Sequence, residues 1–212
     1  ISFRICDVSQ DSIQYDIAVV GGGPAGSSIA TLLARKGYEV LLIEKDHHPR
    51  FHIGESLLPL TIPYLKQLGV LEEVERIGIR KYAAEFHSMY HRKSTSFDFS
   101  EALDPDYPYA FEVRRSDFDA LLFDQAKKSG AQTQEGCEAK EVYFEGDRIT
   151  SLSIMDERGN PREVKARFFV DATGRDTLLS KRMGWKKKNP RHASAALYGH
   201  FENARRNEGL SE

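Results

Sequence analysis

Three glycines, Gly21, Gly23 and Gly26, stand in the run GGGPAG, and Glu44 closes the apolar stretch that follows. The run fits G-x-G-x-x-G. It directly follows the apolar segment YDIAVV and precedes an apolar stripe at helical spacing, Ala25, Ile29, Leu32 and Leu33. In that setting Gly21 permits a tight turn, Gly23 lets the backbone approach a pyrophosphate, and Gly26 lets helix and strand pack closely. Pro24 and Ala25 open the helix, whose free N–H groups favour an anion. Glu44 is placed to accept hydrogen bonds from ribose hydroxyls, and its charge repels a 2′-phosphate, so FAD or NAD is favoured over NADP. Asp171 and Gly174 in VDATGRD repeat the logic after the run ARFFV, as ligands for a ribityl or pyrophosphate group. Paired with the first motif, they point to a flavin dinucleotide rather than a simple NAD domain. Arg115, in FEVRRSDFD, is a candidate donor to the flavin or its phosphates, and Arg114 beside it reads as a solvated charge.

These residues need elements to hold them. Residues 15–44 read as strand, glycine turn, helix and strand, the βαβ unit of a parallel sheet. Short helices are expected from about Pro59 to Leu68 and from Val70 to Ile77. Residues 82–99 alternate and, with Tyr109 to Val113, read as strands of a second, antiparallel sheet. Ser116 opens a helix that ends at Gly130, with Asp117 and Asp119 near its positive end. Residues 132–170 read as a meander turning at Gly146 and Gly159. The fold class is α/β: a doubly wound parallel sheet of Rossmann-like, FAD-binding type, with an interleaved antiparallel β-rich substrate layer. Five parts are expected: an N-terminal extension over 1–14, the FAD-binding domain in two parts over 15–80 and 114–185, the β-rich layer over 81–113, and the start of a substrate domain over 186–212.

The 212 residues carry 30 Lys and Arg against 32 Asp and Glu, a net charge of −2. No broad positive field is present to neutralise a run of phosphates, which argues against a nucleic-acid partner. No segment approaches the length of a membrane span. Cys6 and Cys137, far apart and without metal-like spacing, fit a reducing cytoplasm better than a disulfide framework. The first residue is Ile, and a fragment of a longer protein is expected. His48 and His52 are four apart, but Pro49 opposes a helix that would join them at a metal. His87 and His91, read as one strand, stand too far apart for one. Lys186 to Lys188 read as a solvated turn. Glu55 is either an acid–base group near the flavin ring or a cap for the helix after Pro59.

Together GGGPAGSSIATLLARKGYEVLLIEKD, RFHIGESLLP, FEVRRSDFD and VDATGRD resemble the flavin-dependent halogenases, within the aromatic hydroxylase-type FAD monooxygenases. The first and last motifs are shared across that whole group; the loop from Arg50 to Pro59 is closer to the halogenases and some reductase cousins. The resemblance implies a cofactor site that includes Lys45, Arg50, Gly54, Ser56 and Ala139 besides the residues above. It also implies a catalytic lysine, for which Lys81 in GIRKYAAEF stands at the matching place. Without the resemblance Lys81 reads as a turn lysine beside a solvated Arg80. The enzyme so implied takes reduced FAD from a separate flavin reductase, uses O2 to turn chloride into hypochlorous acid, and delivers the chlorine through the lysine. Its acceptor is a phenol- or pyrrole-like aromatic, including one tethered to a carrier protein. The family's Trp-x-Trp-x-Ile-Pro segment is expected beyond residue 212, and Trp185 is the one tryptophan of this sequence. A hydroxylase or reductase of the same superfamily, and a non-catalytic flavin-binding module, are the alternatives.

Overall fold

The computed structural model describes residues 14–102, 104, 106–187, 189–191, 195, 197–199 and 202–203. Cys6, most of the expected extension and much of the stretch after Lys187 lie outside them. Two compact units divide the described chain: residues 14–51 with Asp119–Lys186, and His52–Phe118 with the described residues from Lys187 on.

The first unit is built on six strands in the order β7-β2-β1-β10-β9-β8. These are β1 (Tyr15–Val20), β2 (Val40–Ile43), β7 (Gln132–Gln134), β8 (Glu138–Glu145), β9 (Arg148–Met155) and β10 (Pro161–Asp171). β1 lies parallel to both β2 and β10, and β2 parallel to β7. The β8–β9 hairpin continues the sheet antiparallel through the first half of β10. Alternation along β1 and β2 serves two cores. Ile17, Val19, Val40 and Leu42 pack with Ala30 of the helix α1 (Pro24–Ala34) and with Phe123 and Ala126 of α4 (Arg115–Lys128). Ala18, Val20, Leu41 and Ile43 pack on the other face with Val142, Leu152 and Val164. A strand apolar on both faces is what a covered parallel sheet requires.

In the second unit, a 3-10 turn (Pro59–Thr61) leads into α2 (Ile62–Leu68), which ends at Gly69 with φ 69°, and α3 (Leu71–Ile77) follows. The expected single antiparallel sheet is instead two ribbons. β3 (Ile79–Lys81) pairs with β6 (Ala110–Glu112), while β4 (Ala83–Ser88) pairs with β5 (Lys93–Asp98). Tyr109 to Val113 therefore joins residues outside the alternating 82–99 stretch. His91 falls in the turn after β4, so it shares no strand with His87. Residues 132–134 likewise belong to the parallel sheet rather than to the meander. No helix is long and apolar enough to cross a membrane among the described residues.

Candidate functional site

The glycine turn separates packing from binding. A Cβ on Gly21, where φ is +107°, would meet the Ala172 carbonyl oxygen at 2.3 Å, and one on Gly26 would meet the Gly21 carbonyl oxygen at 1.8 Å. Both positions are closed by backbone. Gly23 differs: its φ of −74° and ψ of −175° suit any residue, and a Cβ there would meet only the Arg50 guanidinium at 3.6 Å. Packing and conformation do not demand glycine at 23, so the close approach of a ligand to the backbone is the remaining physical reason for it. Gly23 caps α1 without a side-chain bond, and the first turn holds no acidic residue, which leaves the helix dipole to an incoming anion.

Glu44 follows β2 and is 4% exposed. Its Oε2 accepts the Gly22 N–H at 2.6 Å and faces the Arg50 guanidinium at 3.3 Å; its Oε1 accepts the Asp46 N–H at 3.0 Å. Arg50 also pairs with Asp119 at 3.5 Å, and its buried Nε has no hydrogen-bond partner. A dipole, a cation with an unused donor and an acidic residue at the end of the second strand fit a dinucleotide with a free ribose.

Other expected ligands have protein partners. Asp171, at the end of β10, accepts the backbone N–H groups of Thr173 at 3.1 Å and Leu179 at 2.8 Å, so it shapes the loop that carries Gly174. Lys45 donates to Asp176 at 2.7 Å; the carboxylate raises the lysine pKa and the ammonium lowers that of Asp176. Ala139 stands on β8 beside a β-bulge and packs against the core of that sheet face. His48 is buried against Glu135 at 2.8 Å and stacked on Phe123. No group of three or more His, Cys, Asp or Glu side chains suited to a metal occurs among the described residues. Lys186 and Lys187 are exposed and lie outside any helix or strand, and Lys186 donates to the Arg175 carbonyl at 2.8 Å. Cys137 is free and half-buried, and desolvation raises its thiol pKa.

In the second unit, Lys81 ends β3 with its side chain only 14% exposed. Its ammonium donates to the Ser56 hydroxyl and pairs with Glu112 at 3.3 Å. An isolated antiparallel bridge between Ser56 and Glu112, with Leu57 donating to the Phe111 carbonyl at 2.9 Å, ties the Gly54–Leu58 loop to β6. Ser56, expected at the cofactor, is thus brought to Lys81. Glu112 was missed by sequence reasoning, and its signal is a carboxylate on the strand that leads into the arginine pair. Arg115 donates to the Ile53 carbonyl at 2.8 Å, holding the same loop. The Glu55 carbonyl accepts the Val113 N–H at 2.9 Å, a second tie between this loop and the strand region that ends in Val113. Arg80 is not simply solvated: it pairs with Glu75 at 2.7 Å and lies 4.4 Å from the Tyr109 ring centroid.

The family description "FAD binding domain" matches residues 14–204. The chain belongs to the FAD-binding-domain family. This FAD-binding chain is 32% identical over 209 residues to the 1H-pyrrole-2-carbonyl-[peptidyl-carrier protein] chlorinase of Pseudomonas fluorescens, covering 89% of itself and 46% of that protein. Among solved structures it resembles the myxobacterial chondrochloren halogenase CndH, with a TM-score of 0.73 and 35% identity over 79% of this chain and 39% of that one. A flavoprotein/dehydrogenase from Cytophaga hutchinsonii superposes with a TM-score of 0.76 and 32% identity, covering 82% of this chain and 43% of that one. The FAD-binding chain therefore spans less than half the length of these relatives, and the shared fold is the FAD-binding α/β fold.

Proposed function

We propose that the chain is the FAD-binding, N-terminal part of a flavin-dependent halogenase that chlorinates a phenol- or pyrrole-like aromatic, including one carried on a carrier protein. The observation that supports this reading is the lysine cluster: Lys81, the lysine singled out by the resemblance, is held by Ser56 and Glu112. Gly23, Ala25 and Gly26 present main-chain N–H groups to the pyrophosphate, Glu44 takes the adenosine ribose, and Arg50 the phosphates. Asp171 and Gly174 take the ribityl end, with Lys45 and Ala139 as further ligands of the first unit; Gly54 and Arg115 are the candidate cofactor ligands of the second unit. Bound and reduced, FAD supplies the electrons with which O2 oxidises chloride to hypochlorous acid. The Lys81 ammonium donates a hydrogen bond to the oxygen of that acid and polarises its O–Cl bond. The aromatic carbon takes the chlorine, the O–Cl electron pair goes to oxygen, and the ring proton leaves with it as water. Glu55 is the candidate acid–base group for that proton. A separate reductase supplies the reduced flavin, in a cytoplasm that keeps Cys137 a thiol.

The test is full-length protein with FADH2, O2, chloride and a pyrrole or phenol, read by product mass. The expected product is about 34 mass units heavier than the substrate, and Lys81→Ala loses it while retaining FAD. Chlorination at wild-type rate in Lys81→Ala removes the lysine assignment. The likeness to a flavoprotein/dehydrogenase favours the second reading, a hydroxylase or reductase that uses NADH directly. Rapid NADH oxidation without added reductase, or a gain of about 16 mass units, establishes that reading instead.

A further inference from the structure

We propose that Asp119 is a positioning residue for cofactor binding, holding the Arg50 guanidinium at the Gly23 turn so that it meets the phosphates of the dinucleotide. This rests on the reading of Arg50 as a cofactor ligand. Asp119 is 0% exposed, in a stretch of α4 whose neighbours Phe118, Leu122, Phe123 and Ala126 are also buried. Packing alone would place an apolar side chain there. A buried carboxylate loses its hydration and persists only when paired, and an ion pair of this kind is often matched in stability by apolar residues of similar volume. Its worth therefore lies in what it orients. The geometry shows what that is: one terminal nitrogen of Arg50 faces Asp119 at 3.5 Å, while the other faces Glu44 at 3.3 Å and stands 3.6 Å from the Cβ position of Gly23. Carboxylates on two different nitrogens fix both the direction and the plane of the rigid guanidinium. Asp46, 3.9 Å from Nε, is too distant for a hydrogen bond there. Asp119 thus selects the Arg50 rotamer that keeps the second nitrogen beside the glycine turn.

The experiment is FAD affinity of the full-length protein, read by flavin fluorescence, with melting temperature followed in parallel. Asp119→Asn is expected to raise the FAD dissociation constant about tenfold, Arg50→Ala by at least as much, and the double variant no more than Arg50→Ala alone. Effects that add in the double variant, or an unchanged dissociation constant in Asp119→Asn, overturn the proposal. An unchanged constant in Arg50→Ala overturns the reading of Arg50 itself, a separate failure. Where Asp119→Asn does not fold, recovery of the fold in the Arg50→Ala, Asp119→Asn double variant supports the pairing. Failure of both to fold assigns Asp119 to packing and ends the proposal.

Discussion

The glycine turn of the first unit and the lysine cluster of the second are organised in opposite ways. At the turn, main-chain atoms make the shape: the carbonyls of Gly21 and Ala172 close off Gly26 and Gly21, and Gly23 alone of the three stays open. At the cluster, the Lys81 side chain on β3 is held by two others, Ser56 in a loop and Glu112 on β6, whose main chains are joined by a bridge. A backbone site carries its geometry with the fold and tolerates no intrusion. A side-chain site is separable from the fold, because each member can change without moving a strand. The first arrangement suits a cofactor held in one pose; the second suits a residue whose reactivity is tuned by its neighbours.

The contrast can be broken most severely at Gly26. Gly26→Ala is expected to cost upwards of about 3 kcal/mol and to leave little folded protein, because its Cβ meets backbone and not a movable side chain. Urea unfolding or soluble yield reads the effect. Gly23→Ala should keep the melting temperature while losing flavin on desalting. Retention of flavin in that variant would show that the dinucleotide does not need a glycine at 23 and would remove the contrast. At the cluster, Glu112→Gln should lower chlorination about tenfold with FAD affinity unchanged, since it removes one of two groups that hold the lysine. A drop in FAD affinity instead would show that the cluster is no more separable than the turn.

Smaller effects sharpen the picture. Arg80→Ala removes a stack on Tyr109 and a half-exposed pair with Glu75, and should cost about 1 kcal/mol in chemical unfolding with product formation intact. The Lys45–Asp176 pair is exposed on both sides and contributes at most about 1 kcal/mol. Its sign is set by the two shifts. Asp176, lowered by the lysine, adds stability above the ordinary carboxylate range that is lost as pH falls through its folded value; Lys45, raised, adds stability that is lost as pH rises through its own. Asp176→Asn should therefore lower the melting temperature slightly at neutral pH and match the wild type at the acid end of the profile, where the carboxylate is protonated.

Legibility in the sequence followed the range of the interactions. The βαβ unit, the turns at Gly146 and Gly159 and the helix expected from Ser116 are written in local sequence signals; the turns stand where those signals put them, and the helix begins one residue earlier, at Arg115, with Ser116 inside its first turn. The β3–β6 pairing is not, because three-residue strands carry no period and the partner lies far along the chain. Lys81 stood out by resemblance, but its partners did not: Ser56 and Glu112 meet it through a bridge that no spacing encodes. Asp119 was read as a charge at a helix start, whereas its burial beside Arg50 depends on a residue in another segment. A carboxylate within an apolar helical stripe was the available clue.

β10 has a bearing on how the chain tolerates insertion. Its first half, Pro161 to Lys165, is in register with β9, and its second half, Ala166 to Asp171, with β1. Adding one residue between the halves would reverse every side chain downstream relative to the sheet faces, turning Asp171 away from the loop it organises. The hairpin turn before β9 is the opposite: Gly146 has open space around its Cβ position. A peptide tag or a fluorophore-bearing insert is thus accommodated at 146 and 147, while the middle of β10 behaves as a reading frame that admits no shift.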